Sequence, residues 1–273
     1  ENVSLMPWLC LTALLHTIIV LEKRSLLKSW TVILSIATFT LSMSGTFLVR
    51  SGILNSVHTF ANDPKRGVFI LLFLFGLILL SLILFFIYQN KENNSQKKFF
   101  LISKETSILV NNWFMMYFLS VVLIGTIYPI FLEVLINEKI SIGPPFFNKL
   151  LIPFLAVFLI FMSIGPKLNW IKDNFEKIKY LRIILFFICI ILSFYLIKKT
   201  SSEILFTSVI GGGALYLLFI SIEDLFKKKY NISQIISHFG FSLFILSILF
   251  NILFFICIIL SFYLIKKTSS EIL

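Results

Sequence analysis

The amino-acid sequence predicts an all-α membrane protein, a polytopic bundle of about eight transmembrane helices joined by short loops, with a histidine-bearing hinge outside the membrane. Of its 273 residues, 58% are hydrophobic, only 14% are charged and 32 are Phe. The mean hydropathy of +0.98 is too high for a water-soluble domain of this length. The apolar residues also form runs near 20 residues, the length a helix needs to cross a bilayer. No segment alternates as the strands of a barrel would.

The apolar runs give the order of the predicted helices along the chain. They cover residues 4–21, 30–49, 68–88, 108–128, 150–164, 183–197, 204–222 and 235–250. Together they predict one membrane bundle over residues 1–250.

The end of the chain is an unusual repeat. Residues 252–273 copy residues 184–205 letter for letter. A repeat that serves as a structural unit keeps a pattern and drifts in detail. We therefore interpret residues 251–273 as an artefactual copied tail, from a recent duplication or an assembly error, and assign it no function.

The distribution of Lys and Arg predicts the orientation, because positively charged loops stay on the cytoplasmic side. Fifteen lie in the loops on one side: Lys23, Arg24, Lys28, Lys91, Lys97, Lys98, Lys104, Lys167, Lys172, Lys177, Lys179, Arg182, Lys227, Lys228 and Lys229. Seven lie on the other: Arg50, Lys65, Arg66, Lys139, Lys149, Lys198 and Lys199. Most of the net charge of +11 is thus expected to face anionic membrane lipid. No aromatic and basic motif for RNA or DNA is present, so no nucleic-acid partner is expected.

The segment 46–67 between the second and third apolar runs is richer in polar residues than a simple connection needs. It contains Arg50, His58, Lys65 and Arg66 around a turn at Pro64. This hinge is expected on the external side and suited to holding something at the membrane surface. Considered alone, however, His58 is better explained as a surface-loop residue than as a ligand.

Two further histidines lie inside predicted membrane helices, where ionisable groups usually serve a function. His16 would lie about 8 Å, and His238 about 5 Å, from the same membrane face at 1.5 Å per residue. Two imidazoles at similar depth on antiparallel helices can ligate one iron from opposite sides. The alternative is that each ring only hydrogen-bonds a nearby hydroxyl, and the spacing leaves both open. The available hydroxyls are those of Thr12, Thr17, Ser237 and Ser242.

Several long motifs resemble the CcmF family, the membrane subunit of the bacterial cytochrome c haem lyase. They include Glu-Asn-Val-Ser-Leu-Met-Pro-Trp-Leu at the start, Gly-Thr-Phe-Leu-Val-Arg-Ser-Gly at 45–52, the histidine-bearing run at 56–67, and Ser-His-Phe-Gly at 237–240. The resemblance covers about 250 residues. The tryptophan-rich segment and first external histidine of the family are not in this sequence, so a partial chain is expected.

The resemblance implies a role for each histidine. His16 and His238 correspond to the pair that holds a permanent haem b. His58 corresponds to an external ligand of transient haem iron, which makes it the catalytic residue expected in this chain. Arg50, Lys65 and Arg66 could pair with haem propionates, or equally serve as interfacial anchors.

The resemblance also implies the activity. It is cytochrome c maturation, in which haem is held, reduced and attached through thioether bonds to the CxxCH thiols of apocytochrome c. This is a haem lyase reaction, with electrons expected to pass from quinol to haem. The implied partners are a haem chaperone, apocytochrome c, its thiol-reducing partner subunits, and quinol. The implied location is the bacterial inner membrane, with the His58 hinge facing the periplasm.

Two other functions remain open from the residues alone. A haem transporter or ion-coupled carrier could use the membrane histidines as a proton relay, but it would predict intramembrane carboxylates, and the apolar runs contain almost none. A subunit that handles haem without chemistry of its own is the other possibility.

Overall fold

The computed structural model describes residues 2–50, 64–89, 99–136, 140–173, 180–197, 204–227 and 231–250. Within these residues it has eight α-helices and a short 3-10 turn at Gly165–Lys167. The helices are α1 (Asn2–Arg24), α2 (Lys28–Arg50), α3 (Pro64–Gln89), α4 (Lys104–Ile136), α5 (Pro144–Ile164), α6 (Tyr180–Ile197), α7 (Ile204–Lys227) and α8 (Ile232–Phe250).

Each of these helices is long and apolar enough to cross a membrane, which confirms the all-α prediction for the described part of the chain. Most helices extend beyond the apolar run that predicted them, because their first and last turns are polar. Ser103 caps the start of α4, since its Oγ accepts the Thr106 N–H at 3.2 Å. Asn231 caps α8 by accepting the Ser233 N–H at 3.2 Å. The hinge with His58 and the copied tail lie outside the described residues.

The chain divides into two compact units. The first contains the described residues within Glu1–Leu151 and Leu168–Asp173, and the second contains those within Ile152–Lys167 and Asn174–Leu273. The short segment Leu168–Asp173 therefore belongs to the first unit, although the residues on both sides of it belong to the second. The expected single bundle over residues 1–250 stays a prediction.

In the first unit, α1 packs against α2 and α4, and α2 packs against α3. The buried stripe of α1 recurs every three or four residues, as expected for a helix that packs on one side. It consists of Met6, Leu9, Cys10, Ala13, Leu14, Thr17 and Val20.

In the second unit, α7 packs against both α6 and α8. One core cluster contains Leu159 of α5, Ile210, Ala214 and Leu217 of α7, and Ile245 and Leu246 of α8. Gly211 and Gly212 let α6 approach closely, because a Cβ on Gly212 would lie 2.6 Å from the Cα of Ile190, while Gly213 faces Leu159 of α5. These glycines thus serve helix packing, as small residues commonly do in membrane proteins.

Candidate functional site

His16 lies half-buried on α1, next to the buried stripe of that helix. Its Nδ1 is 2.8 Å from the carbonyl oxygen of Thr12. A carbonyl can only accept a hydrogen bond, so Nδ1 carries the proton and donates it. Nε2 then carries a lone pair. A hydrogen bond from the second ring nitrogen is the arrangement usually found in metal-ligating histidines.

His16 hydrogen-bonds a backbone carbonyl and not a neighbouring side-chain hydroxyl, which the alternative explanation had required. The Thr12 hydroxyl donates to the carbonyl of Trp8 at 2.9 Å, and the Thr17 hydroxyl donates to the carbonyl of Ala13 at 2.7 Å. The imidazole is held by the backbone of its own helix instead. That contact fixes the tautomer without using Nε2.

His238 lies half-buried on α8 of the second unit, where it lines a small cavity with residues of α5 and α7. The cavity has a volume of about 10 Å³, close to the minimum for one water molecule. Its polar lining is Ser163, Ser221, Asp224, Gln234 and His238. The imidazole is therefore in a confined and partly polar environment rather than against lipid alone.

A buried ion pair contributes to the same cavity region. The Nζ of Lys167 lies 3.4 Å from Oδ1 of Asp224, and both side chains are only 10% exposed. Nearby, Glu223 pairs with Lys227 one turn further along α7, and with Arg182 at 4.0 Å. From the sequence, Lys167 and Arg182 were counted among the loop charges that face lipid. The structure pairs both with carboxylates at the end of α7, and the side of the membrane on which they lie stays a prediction.

The sequence-predicted site residues are divided between the two units, and one of them is not described by the structure. His16 belongs to the first unit and His238 to the second, so their pairing on one iron stays a prediction. Arg50 is the last residue of α2, while Lys65 and Arg66 are exposed in the first turn of α3. His58 lies outside the described residues.

Protein ligands alone do not form a metal centre in the part of the chain that is described. No group of three or more His, Cys, Asp or Glu side chains there could hold a metal ion.

The sequence analysis did not identify the buried carboxylates Glu105 and Asp224. Each pairs with a basic residue distant in sequence, Arg24 and Lys167 respectively. In the sequence, the adjacent acids Glu223 and Asp224 at the end of an apolar run were a signal for the pairing of Asp224 with Lys167. For Glu105, no local pattern indicated burial.

Comparisons with known proteins agree on one family. The family described as Cytochrome C assembly protein matches residues 1–54. The cytochrome c-type biogenesis protein CcmF of Pseudomonas aeruginosa is 49% identical over 174 residues, which are 64% of this chain and 26% of that protein. CcmF of Escherichia coli is 38% identical over 211 residues, 77% of this chain and 32% of that protein.

A solved structure shares the fold. The structure named Cytochrome c Heme Lyase CcmF aligns with a TM-score of 0.67 and 23% identity, covering 92% of this chain and 38% of that one. The chain thus spans about a quarter to a third of the length of the curated relatives it matches.

Proposed function

Because the chain belongs to the CcmF family of cytochrome c-type biogenesis proteins, we propose that it is the haem-handling membrane part of a protein of cytochrome c maturation. The observation that carries the proposal is the His16 imidazole, held by the Thr12 carbonyl with Nε2 available to a metal. A polar ring at membrane depth is costly unless its groups are satisfied. A bond from Nε2 to iron would offset that cost.

The resident cofactor in this proposal is haem b, ligated by His16 and His238. The donor sets fit, since each imidazole is half-buried on a membrane-spanning helix. His16 binds through Nε2, while Nδ1–H keeps the ring oriented against its own helix. When bound, the haem supplies one-electron oxidation and reduction. The part of this chain would be to hold the iron through the two imidazoles.

His58 acts on a different haem, the one that is the substrate. As a ligand of its iron, His58 would hold that haem so that its vinyl groups face the thiols of a CxxCH segment. In thioether formation the S–H bond adds across the vinyl double bond, so sulfur joins one carbon, hydrogen joins the other and nothing leaves. Holding the haem and the thiols in the reacting geometry accelerates the reaction through the proximity effect. Arg50 and Arg66, at the two ends of the hinge, could hold the propionates.

The activity follows as a haem lyase reaction supported by electron transfer from quinol to the substrate iron. The partners in this proposal are a haem chaperone, apocytochrome c and the thiol-reducing subunits that keep its cysteines reduced. The location is the bacterial inner membrane, with the His58 hinge in the periplasm. Support comes from the eight apolar helices of the described chain and from the excess of Lys and Arg on the other side of the membrane.

The proposal is tested by the absorption spectrum of the purified protein. His16→Ala and His238→Ala should each abolish the stable b-type spectrum while the helices remain inserted. Thr12→Ala is the matched control on α1, because the backbone carbonyl and not the hydroxyl holds the ring. Ser237→Ala is the matched control on α8, because the exposed Ser237 hydroxyl donates to the carbonyl of Ser233 in the preceding turn. A normal six-coordinate spectrum in either histidine variant would contradict the ligand assignment.

A further inference from the structure

Glu105, the second residue of α4, joins three segments of the first unit through one buried carboxylate. Its side chain is 3% exposed, and Oε1 lies 2.7 Å from the Nε of Arg24 at the end of α1. Both carboxylate oxygens also lie 3.0 Å from the backbone N–H of Ile171. The carboxylate therefore bonds the end of one helix, the start of another and the segment Leu168–Asp173.

The segment Leu168–Asp173 is held against residues 102–105 by its backbone. The Lys104 N–H donates to the carbonyl of Asn169 at 2.9 Å, and the Asp173 N–H donates to the carbonyl of Ile102 at 2.8 Å. The Lys104 ammonium lies 5.5 Å from the centre of the Trp170 ring, within the range of a cation–π contact.

Ile171 adopts a strained backbone conformation within this segment. Its φ is 74°, which is rare for a β-branched side chain because Cβ crowds the backbone. Such strain persists only when the surrounding structure holds it in place. The Glu105 carboxylate does so by accepting the N–H of the strained residue.

The pair of Arg24 and Glu105 is also one of three side-chain contacts between α1 and α4. Three side-chain contacts run along this antiparallel pair: Arg24 with Glu105, Thr17 with Asn112 at 2.9 Å, and Asn2 with Thr126 at 3.2 Å. Seven residues separate the first two contacts on both helices, close to two helical turns, so both fall on the facing sides. His16 immediately precedes Thr17.

We propose that Glu105 is a positioning residue that fixes the depth and rotation of His16 by locking the end of α1 to α4. The Glu105 side chain is only 3% exposed, and removing one partner of such a buried ion pair is strongly destabilising. The two neutral hydrogen bonds, between Asn112 and Thr17 and between Asn2 and Thr126, are each weaker restraints by comparison. The effect on His16 as a ligand rests on the proposed function, whereas the alignment of the two helices does not.

The first experiment measures the alignment without haem. Asn2→Cys and Thr126→Cys are combined in a chain whose native cysteines are replaced by alanine, and the rate of disulfide formation is measured in membranes. Adding Glu105→Gln should slow cross-linking several-fold, because α1 is no longer fixed along its axis. Glu22→Gln is the matched control, since it removes an exposed carboxylate from the same helix. Equal rates in the two variants would overturn the proposal.

The second experiment reads the iron coordination. Glu105→Gln and Arg24→Gln should convert part of the b-type spectrum from six-coordinate low-spin to five-coordinate high-spin, while Arg24→Lys and Glu22→Gln should keep it six-coordinate. An unchanged spectrum in Glu105→Gln would overturn the positioning role, even if cross-linking slows. If the unsubstituted protein itself shows no b-type spectrum, the proposed function fails, and the cross-linking result still decides the alignment.

Discussion

The close contact between α6 and α7 allows a sharp test of the packing in the second unit. A Cβ on Gly212 would lie 2.6 Å from the Cα and 2.9 Å from the backbone nitrogen of Ile190. Because these are backbone atoms, no side-chain rotation relieves the clash. Gly212→Ala must therefore move one helix away from the other.

The expected loss of stability follows from how far α6 and α7 must move apart. Reaching ordinary contact requires a separation of about 0.8 Å, and a gap of that size forfeits roughly a quarter to a half of the contact energy between the atoms involved. Overpacking of this kind lowers the free energy of unfolding by about 1–3 kcal/mol. Against this, alanine is favoured over glycine in a helix by about 0.5–1 kcal/mol. A net loss of about 1 kcal/mol, and at most about 2.5 kcal/mol, is expected.

Glycines elsewhere in the chain supply graded controls. A Cβ on Gly76 or Gly240 would have nothing within 4 Å, so alanine there should leave stability unchanged or raise it. A Cβ on Gly125 would lie 2.7 Å from the ring tip of Phe147, which can swing away, so the loss should be intermediate. The measurement is the denaturation midpoint in detergent, with the b-type spectrum as a second readout, since α7 lines the His238 cavity. Equal midpoints for Gly212→Ala and Gly240→Ala would refute the argument.

Two further predictions concern the external hinge and the orientation of the chain. His58→Ala should keep the b-type spectrum but lose cytochrome c maturation and the capture of chaperone-delivered haem, because an external ligand acts on transient haem only; added imidazole should restore part of the activity. Maturation at the normal rate would make the hinge a simple connection. Cysteines introduced at Asn62 and Asn94 should react with an impermeant thiol reagent from opposite sides of the membrane, since the Lys-rich loop around Lys97 is expected in the cytoplasm. Labelling from one side alone would contradict the charge argument.

The sequence was sufficient to locate the described helices because crossing lipid demands a long apolar run, a strong local signal. The helix ends were less predictable. The run at 108–128 indicated α4, but the helix extends over Lys104–Ile136. Its first turn contains charged residues held by the Ser103 cap and by pairing with α1. Hydropathy does not detect such contacts.

The candidate site was predictable only in part. His16 was identifiable as an ionisable residue within an apolar run, but its hydrogen bond to Thr12 depends on the ring orientation, which the sequence does not specify. The near absence of carboxylates in the apolar runs argued against an ion-coupled carrier. The structure buries Glu105 and Asp224 near helix ends and pairs each with a base. These pairings depend on packing between distant segments, which a count of the Lys and Arg residues in the loops does not detect.

The matched spacing of contacts along α1 and α4 restricts how this part of the protein can change in length. Inserting one residue between Thr17 and Arg24 would rotate the end of α1 by about 100° and shift it by about 1.5 Å. Arg24 would then point away from Glu105 unless α4 gained a residue over the interval from Glu105 to Asn112. We therefore expect related chains to change these two intervals together or not at all, while substitutions within them remain permissible.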